Sequence, residues 1–234
     1  MAGYVYEQRE VVLPIGGQKV TIKEGDGYAT RVLLKRNKKM FEVMSDYLAL
    51  FTVSIGSLKK VTFAHILDLF VPDQDFLSVE CYKLNYGDIF NFNEMCLSCG
   101  KESEHTFPLD NMKFTKPKIE SNDPTVTVTL PRTKKQVKLG LLTGHKEAVI
   151  MSQIETGIDV NQSEFQSIRE IDGSSVFTYE DVLHLPLADH KALGKARKEL
   201  FCGYDANVKI ECPLCSAPSI INVLVHRDFL FPTG

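Results

Sequence analysis

The sequence predicts an α+β fold made of two copies of one unit, a hairpin followed by helices and a Cys-x-x-Cys knuckle, related by pseudo-twofold symmetry. Three observations carry this expectation. Two Cys-x-x-Cys pairs coincide when the chain is slid on itself by 116 positions, so that Cys96 falls on Cys212 and Cys99 on Cys215. Under the same shift, without a gap, Gly87 falls on Gly203, Leu77 on Leu193, Asp73 on Asp189 and Leu69 on Leu185. One further residue of offset aligns the beginnings: Leu13-Pro14 with Leu130-Pro131, Val20 with Val137, Gly27 with Gly144 and Val32 with Val149. The division that follows is a first repeat over 1–115 with an N-terminal extension over 1–10, a linker over 116–125, and a second repeat over 126–234. The linker contains "KPKIESNDP", which is polar and carries two prolines.

Each copy reads alike, element by element. "VVLPIGGQKVTIK" and "TVTVTLPRTKKQVKLG" alternate apolar and polar residues around a turn, the pattern of a hairpin. Helical periodicity follows, in Val32, Leu33, Phe41, Met44, Tyr47, Leu48 and Phe51 of the first copy and Ala148, Val149 and Ile154 of the second. Asp73 and Asp189 stand where N-caps are expected, opening helices that end near Gly87 and Gly203. A strand ("DIFNFNEM"; "NVKIE") then leads into each Cys pair, and another ("EHTFPLD"; "SIINVLVH") leaves it.

Composition sets the outer bounds. The chain has 234 residues, enough for one large domain or two small ones, and 44% apolar with 24% charged residues is ordinary for a globular protein. A net charge of −3 excludes a polycation built to neutralise phosphates. No apolar stretch approaches the ~20 residues of a membrane span. The start, "MAGYVYEQRE", has no apolar core, so a secretory signal is not expected. Six cysteines then point to a reducing cytoplasm, where metal binding or free thiols outrank disulfides.

Between Cys99 and Cys212 lie 112 residues, too many for a contiguous zinc ribbon. The duplication supplies the missing half. Two hairpin tips that meet bring four thiolates together, and Zn²⁺ in a structural role takes a closed tetrahedral Cys₄ shell. The expected site is therefore one zinc per chain on Cys96, Cys99, Cys212 and Cys215. Gly100 follows the first pair and supplies the positive φ that aims backbone N–H groups at sulfur. A redox pair needs its Cys-x-x-Cys at the opening of a helix, whereas strands flank both pairs here. Cys81 and Cys202 read as core thiols.

The ordered series, Leu-Pro hairpin, helices, "CLSCG", second Leu-Pro hairpin and "CPLC", resembles the T4-type baseplate hub-assembly family of contractile-tailed bacteriophages. The resemblance spans about residues 11–230. It implies a non-enzymatic structural subunit or assembly factor of the tail baseplate, with the four knuckle cysteines carried over. It also implies other baseplate and tail proteins as partners, and no membrane or small-molecule substrate. The expected location is the host cytoplasm during assembly and the virion tail afterwards. Ser216 departs from the glycine expected after the second pair, which bears on metal occupancy.

Other chemistry is sparse. There is no Walker loop or Gly-x-Gly-x-x-Gly, and "EGDGY" at 24–28 reads as a turn. His105 lies six residues beyond Cys99 but lacks an orienting partner, and His184 and His190 read as surface. The aromatic termini, with Tyr4 and Tyr6 at one end and Phe229 and Phe231 at the other, are candidate contacts with a neighbour. The alternative function is a zinc-ribbon nucleic-acid-binding protein. It draws on the basic runs "RVLLKRNKK" and "RTKKQVK", in which Arg31, Lys35, Lys38 and Lys39 form the polar side of a helix. No aromatics interleave with these cations to stack bases, so nucleic acid is not the expected partner. Single-stranded nucleic acid should show no measurable binding near physiological salt. Tight, salt-sensitive binding lost in Lys35→Glu/Lys39→Glu would reverse that assignment.

Overall fold

The computed structural model describes residues 5–27, 40–155 and 162–230. The basic stretch 31–39, Tyr4 and Phe231 lie outside them. The first hairpin pairs β1 (Gln8–Val12) with β2 (Lys19–Lys23), and its alternation sends Val20 and Ile22 into the core. β1 begins inside the predicted extension, because Arg9 and Val11 continue the alternation of half-buried positions. α1 (Met40–Phe51) lays Val43, Tyr47, Leu48 and Phe51 against this sheet at helical spacing. β3 (Thr52–Ile55) joins the β2 edge, giving the order β1-β2-β3 with a register shift between Thr21 and Ile22. A short α2 (Phe63–Leu67) precedes the long α3 (Val71–Tyr86), which carries Pro72 in its first turn and stops at Gly87, φ 87°. The first arm is β4 (Ile89–Met95) with β5 (Glu102–Pro108), followed by β6 (Phe114–Thr115).

The second half also opens on a hairpin and a three-stranded sheet and ends in a two-stranded arm, with two helices before its third strand and a short strand before, not after, the arm. β7 (Thr125–Thr129) pairs β8 (Gln136–Gly140), and α4 (Gly144–Glu155) and α5 (Gln162–Ser167) lead to β9 (Ile168–Ile171). The order is β7-β8-β9, with a register shift between Lys138 and Leu139. α6 (Tyr179–Leu183) is capped by Thr178, whose hydroxyl accepts from Asp181 N. α7 (Leu187–Glu199) leads to β10 (Gly203–Tyr204), which pairs with β6 of the first half. The second arm is β11 (Asn207–Glu211) with β12 (Pro218–Asn222), and α8 (Arg227–Leu230) follows.

Both hairpin turns close alike. Leu13 N–H donates to Gln18 O and Gly17 N–H to Leu13 O; Leu130 N–H donates to Lys135 O and Lys134 N–H to Leu130 O. The left-handed position falls to Gly17 in one turn and Lys134 in the other, with φ 68° and 62°.

Asp73 and Asp189 are not N-caps. The caps are Phe70 and Pro186, both extended and without a side-chain cap bond. The two carboxylates sit in the first helical turn, 1% and 0% exposed, and reach out of the helix to the hairpin. Asp73 accepts from Ile15 N–H and Gly16 N–H, each at 2.9 Å. Asp189 accepts from Arg132 N–H at 2.7 Å and Thr133 N–H at 3.0 Å. The reason is one of supply: a turn leaves adjacent N–H groups unpaired, and a carboxylate brings two oxygens to satisfy them. Burial outweighs these bonds at Asp73 and lifts its carboxyl above the ordinary range. At Asp189 burial also pushes upward. There the Arg132 and Thr133 N–H groups, the Thr133 hydroxyl and the Arg132 charge outweigh it and hold the carboxyl below that range.

Apolar packing divides into three clusters. The first sheet packs on α1 and on Leu77, Cys81 and Leu84 of α3. The second sheet packs on Val182, Leu193 and Ala196, and takes in Ile15 from the first hairpin turn. The third cluster gathers both arms and α8 around Val79 and Tyr82, on another side of α3. Phe229 belongs to it, stacked on Tyr82 at 4.8 Å, so this part of the C-terminus packs on its own chain. In urea unfolding, Asp73→Ala should cost about 3 kcal/mol, because two N–H groups lose their acceptor. Asp73→Asn, which keeps one acceptor oxygen, should cost less.

Candidate metal centre

The arms determine where the cysteines go. Met95 pairs with Glu102 at the end of β4–β5, and Glu211 pairs with Pro218 at the end of β11–β12, leaving six residues to turn each tip. The two tips share one hydrogen-bond pattern. Cys96 N–H donates to Lys101 O at 3.0 Å and Gly100 N–H to Cys96 O at 2.8 Å. Cys212 N–H donates to Ala217 O at 3.0 Å and Ser216 N–H to Cys212 O at 2.8 Å. Ser216 adopts φ 59°, close to the 68° of Gly100, so the missing glycine leaves the turn geometry unchanged. The left-handed conformation costs a serine on the order of 1 kcal/mol, and Pro213 offsets part of this by presetting its own φ.

The tips meet face to face. Cys96 Sγ lies 3.6 Å from Cys215 Sγ, and Cys99 Sγ lies 3.9 Å from Cys212 Sγ. All four sulfurs fall within 4.8 Å of one another, and all are free thiols. A tetrahedral thiolate shell with metal–sulfur bonds of about 2.3 Å has sulfur–sulfur edges near ~3.8 Å. Two of the edges match this value and the rest stay within about 1 Å of it, so the cluster could hold a metal ion.

The thiols are already unequal before any metal binds. N–H groups of Cys99 and Ser98 point at the Cys96 sulfur and pull its thiol down to about 7. At Cys215 the Ala217 N–H favours the thiolate, but the neighbouring sulfurs of Cys96, Cys99 and Cys212 outweigh it and push the thiol up to about 12. One negative charge in the cluster is favourable and further ones repel, which is the electrostatic situation a cation resolves. The remaining thiols differ in kind: burial raises Cys81 beyond any useful range and lifts Cys202 to about 11.

Sequence spacing did not reveal the layer beneath the sulfurs. His226 lies 3.3 Å from Glu94 and edge-on to Phe90 and Phe92, while His105 stacks on Phe92 with ring centroids 5.3 Å apart. These residues come from the first arm and from the turn just before α8, and Glu94 and His226 stand 132 positions apart, beyond the reach of any local motif. His105 faces Ser103 at 3.0 Å and belongs to no metal-binding group among the described residues. His190, read as surface, is mostly buried and lies 2.6 Å from Glu164. Tyr6 donates to Asp26 at 3.1 Å.

Over residues 6–229 the sequence matches the family described as T4 bacteriophage base plate protein. The chain belongs to that family. No curated protein and no solved structure matches it. The base plate match takes in both arms and all four clustered cysteines, so the sulfur cluster lies within the family's extent. No helix among the described residues is long and apolar enough to cross a membrane.

In the metal-free protein, thiolate absorbance should show one knuckle cysteine ionising near pH 7, a step absent from Cys96→Ser. Because binding displaces thiol protons, metal affinity should rise with pH and fall most steeply below that step.

Proposed function

We propose that this chain is a non-enzymatic subunit or assembly factor of a phage tail baseplate, held in shape by one structural zinc ion on Cys96, Cys99, Cys212 and Cys215. The observation that carries the reading is the convergence of four thiols from two distant arms in a base plate family member. Zinc suits the donor set, since soft thiolates in a closed tetrahedron leave no open position for substrate. The partners are other tail proteins, met in the host cytoplasm and retained in the virion baseplate.

The proposal includes the duplication. Two units, 1–115 and 126–234 joined by 116–125, account for the matched turns, the matched register shifts and the paired carboxylates. In this reading the ion sits near a pseudo-twofold axis and each unit contributes half of its shell.

Purified protein should carry close to one zinc per chain by elemental analysis. Cys96→Ser and Cys212→Ser should each lose the metal and several kcal/mol of stability, since structural zinc supplies on the order of 10 kcal/mol of folding free energy. Loss from only one of the two would remove the tip-to-tip arrangement. For the assembly reading, the wild-type chain should co-sediment with baseplate intermediates, and its failure to do so would remove that reading.

A further inference from the structure

Away from the sulfurs, a cleft of about 620 Å³ opens at the seam between the halves. Val71 and Pro72 at the start of α3 form one wall, Leu141 and Leu142 after β8 a second, and Leu200 and Phe201 after α7 a third. Its size is that of a site for a small ligand or for one or two side chains. Phe201 at the rim is 62% exposed, a large aromatic left uncovered beside an apolar hollow.

One carboxyl lines this hollow. Asp75 stands two residues beyond Asp73, and the contrast between them is informative. Asp73 accepts two N–H groups, whereas Asp75 has no hydrogen bond or ion pair with any described residue. Burial lifts its carboxyl to about 7, and the charge of nearby Glu147 on α4 adds to the effect. Burial also raises Glu147, which likewise lacks a described ion-pair partner. Two neighbouring acidic groups, neither bonded to a described cation, repel one another once ionised beside the apolar cleft. A cation arriving from outside relieves them.

We propose that this cleft receives, from a neighbouring tail protein, a segment carrying a Lys or Arg beside an apolar side chain. The cation sits against Asp75, and the apolar group rests on Leu142 and Phe201. Arg197 and Lys198 also line the cleft, the former donating to Ser163 Oγ at 2.8 Å. They suit an acidic residue flanking the inserted cation and disfavour a uniformly basic segment. The assembly reading supplies only the source of the segment; the cleft's preference for an apolar cation is independent of it.

The test uses the full chain and three probes of equal length: n-hexylamine, n-hexanol and hexanoate. Amide NMR shifts are followed at about pH 8, where Asp75 is ionised and the amine is charged. Hexylamine should perturb Leu142 and Phe201 saturably and bind roughly tenfold tighter than hexanol. Asp75→Asn should abolish that advantage without lowering the thermal midpoint, since it removes an unpaired charge. Equal binding of amine and alcohol, preferential binding of hexanoate, or an amine preference that survives Asp75→Asn each overturns the proposal. In the assembly arm, the exposed-rim variant Phe201→Glu should fold normally but fail to co-sediment with baseplate intermediates, and normal co-sedimentation would count against the docked segment. A wild-type chain that co-sediments yet shows no amine preference removes this cleft's role and leaves the assembly reading standing. An amine preference without wild-type co-sedimentation removes the assembly reading, and with it the source of the segment.

Discussion

The arrangement rests on a buried carboxylate at the start of a helix that accepts hydrogen bonds from the turn of a hairpin. Asp73 ties α3 to the β1–β2 turn, and Asp189 ties α7 to the β7–β8 turn. Fixing a helix at its first turn also fixes where its last turn lies. α3 and α7 both deliver the chain to a left-handed glycine, Gly87 or Gly203, from which the arm toward a knuckle departs. The sulfur positions are thus set by rigid elements that begin at the two carboxylates, far from the sulfurs themselves. This is why the tips meet at tetrahedral spacing although 112 residues separate Cys99 from Cys212.

α3 bears most of the packing demand. Leu77, Cys81 and Leu84 face the first sheet, while Val79 and Tyr82 face the arms. A helix with apolar neighbours on two sides loses the usual polar stripe, and α3 retains little of one. Under the 116-position shift α7 aligns with α3, yet has Lys195 and Lys198 where α3 has Val79 and Tyr82. Both arms lean on α3 and leave that side of α7 to solvent and to the seam cleft.

Much of the fold was legible in the sequence. The hairpins, α1, α4 and the four arm strands follow from period-two and helical patterns, and the knuckles from cysteine spacing. Four-residue β3 and β9 and five-residue α2 and α6 were not legible, since such lengths show no period and are held by their neighbours. The role assigned to Asp73 and Asp189 was wrong for a physical reason. A short acidic residue before a helical run signals an N-cap locally, whereas its actual partners lie 57 and 58 positions upstream for Asp73. The four cysteines were visible as a candidate cluster because they repeat. The layer of Glu94, Phe92, His105 and His226 and the unpaired Asp75 were invisible, because nothing in the local sequence marks either.

The separation of the two knuckles along the chain has a consequence for synthesis. Cys96 and Cys99 leave the ribosome early, as a two-sulfur hairpin tip that cannot close a tetrahedral shell. The cluster is complete only once Cys215 of the 234 residues has emerged and the second arm has folded against α3. A chain released before that point carries the residues of the first sheet but only two of the four clustered cysteines. If the proposed four-cysteine site holds an ion, its retention would therefore distinguish chains that include both arms from fragments that carry only the first.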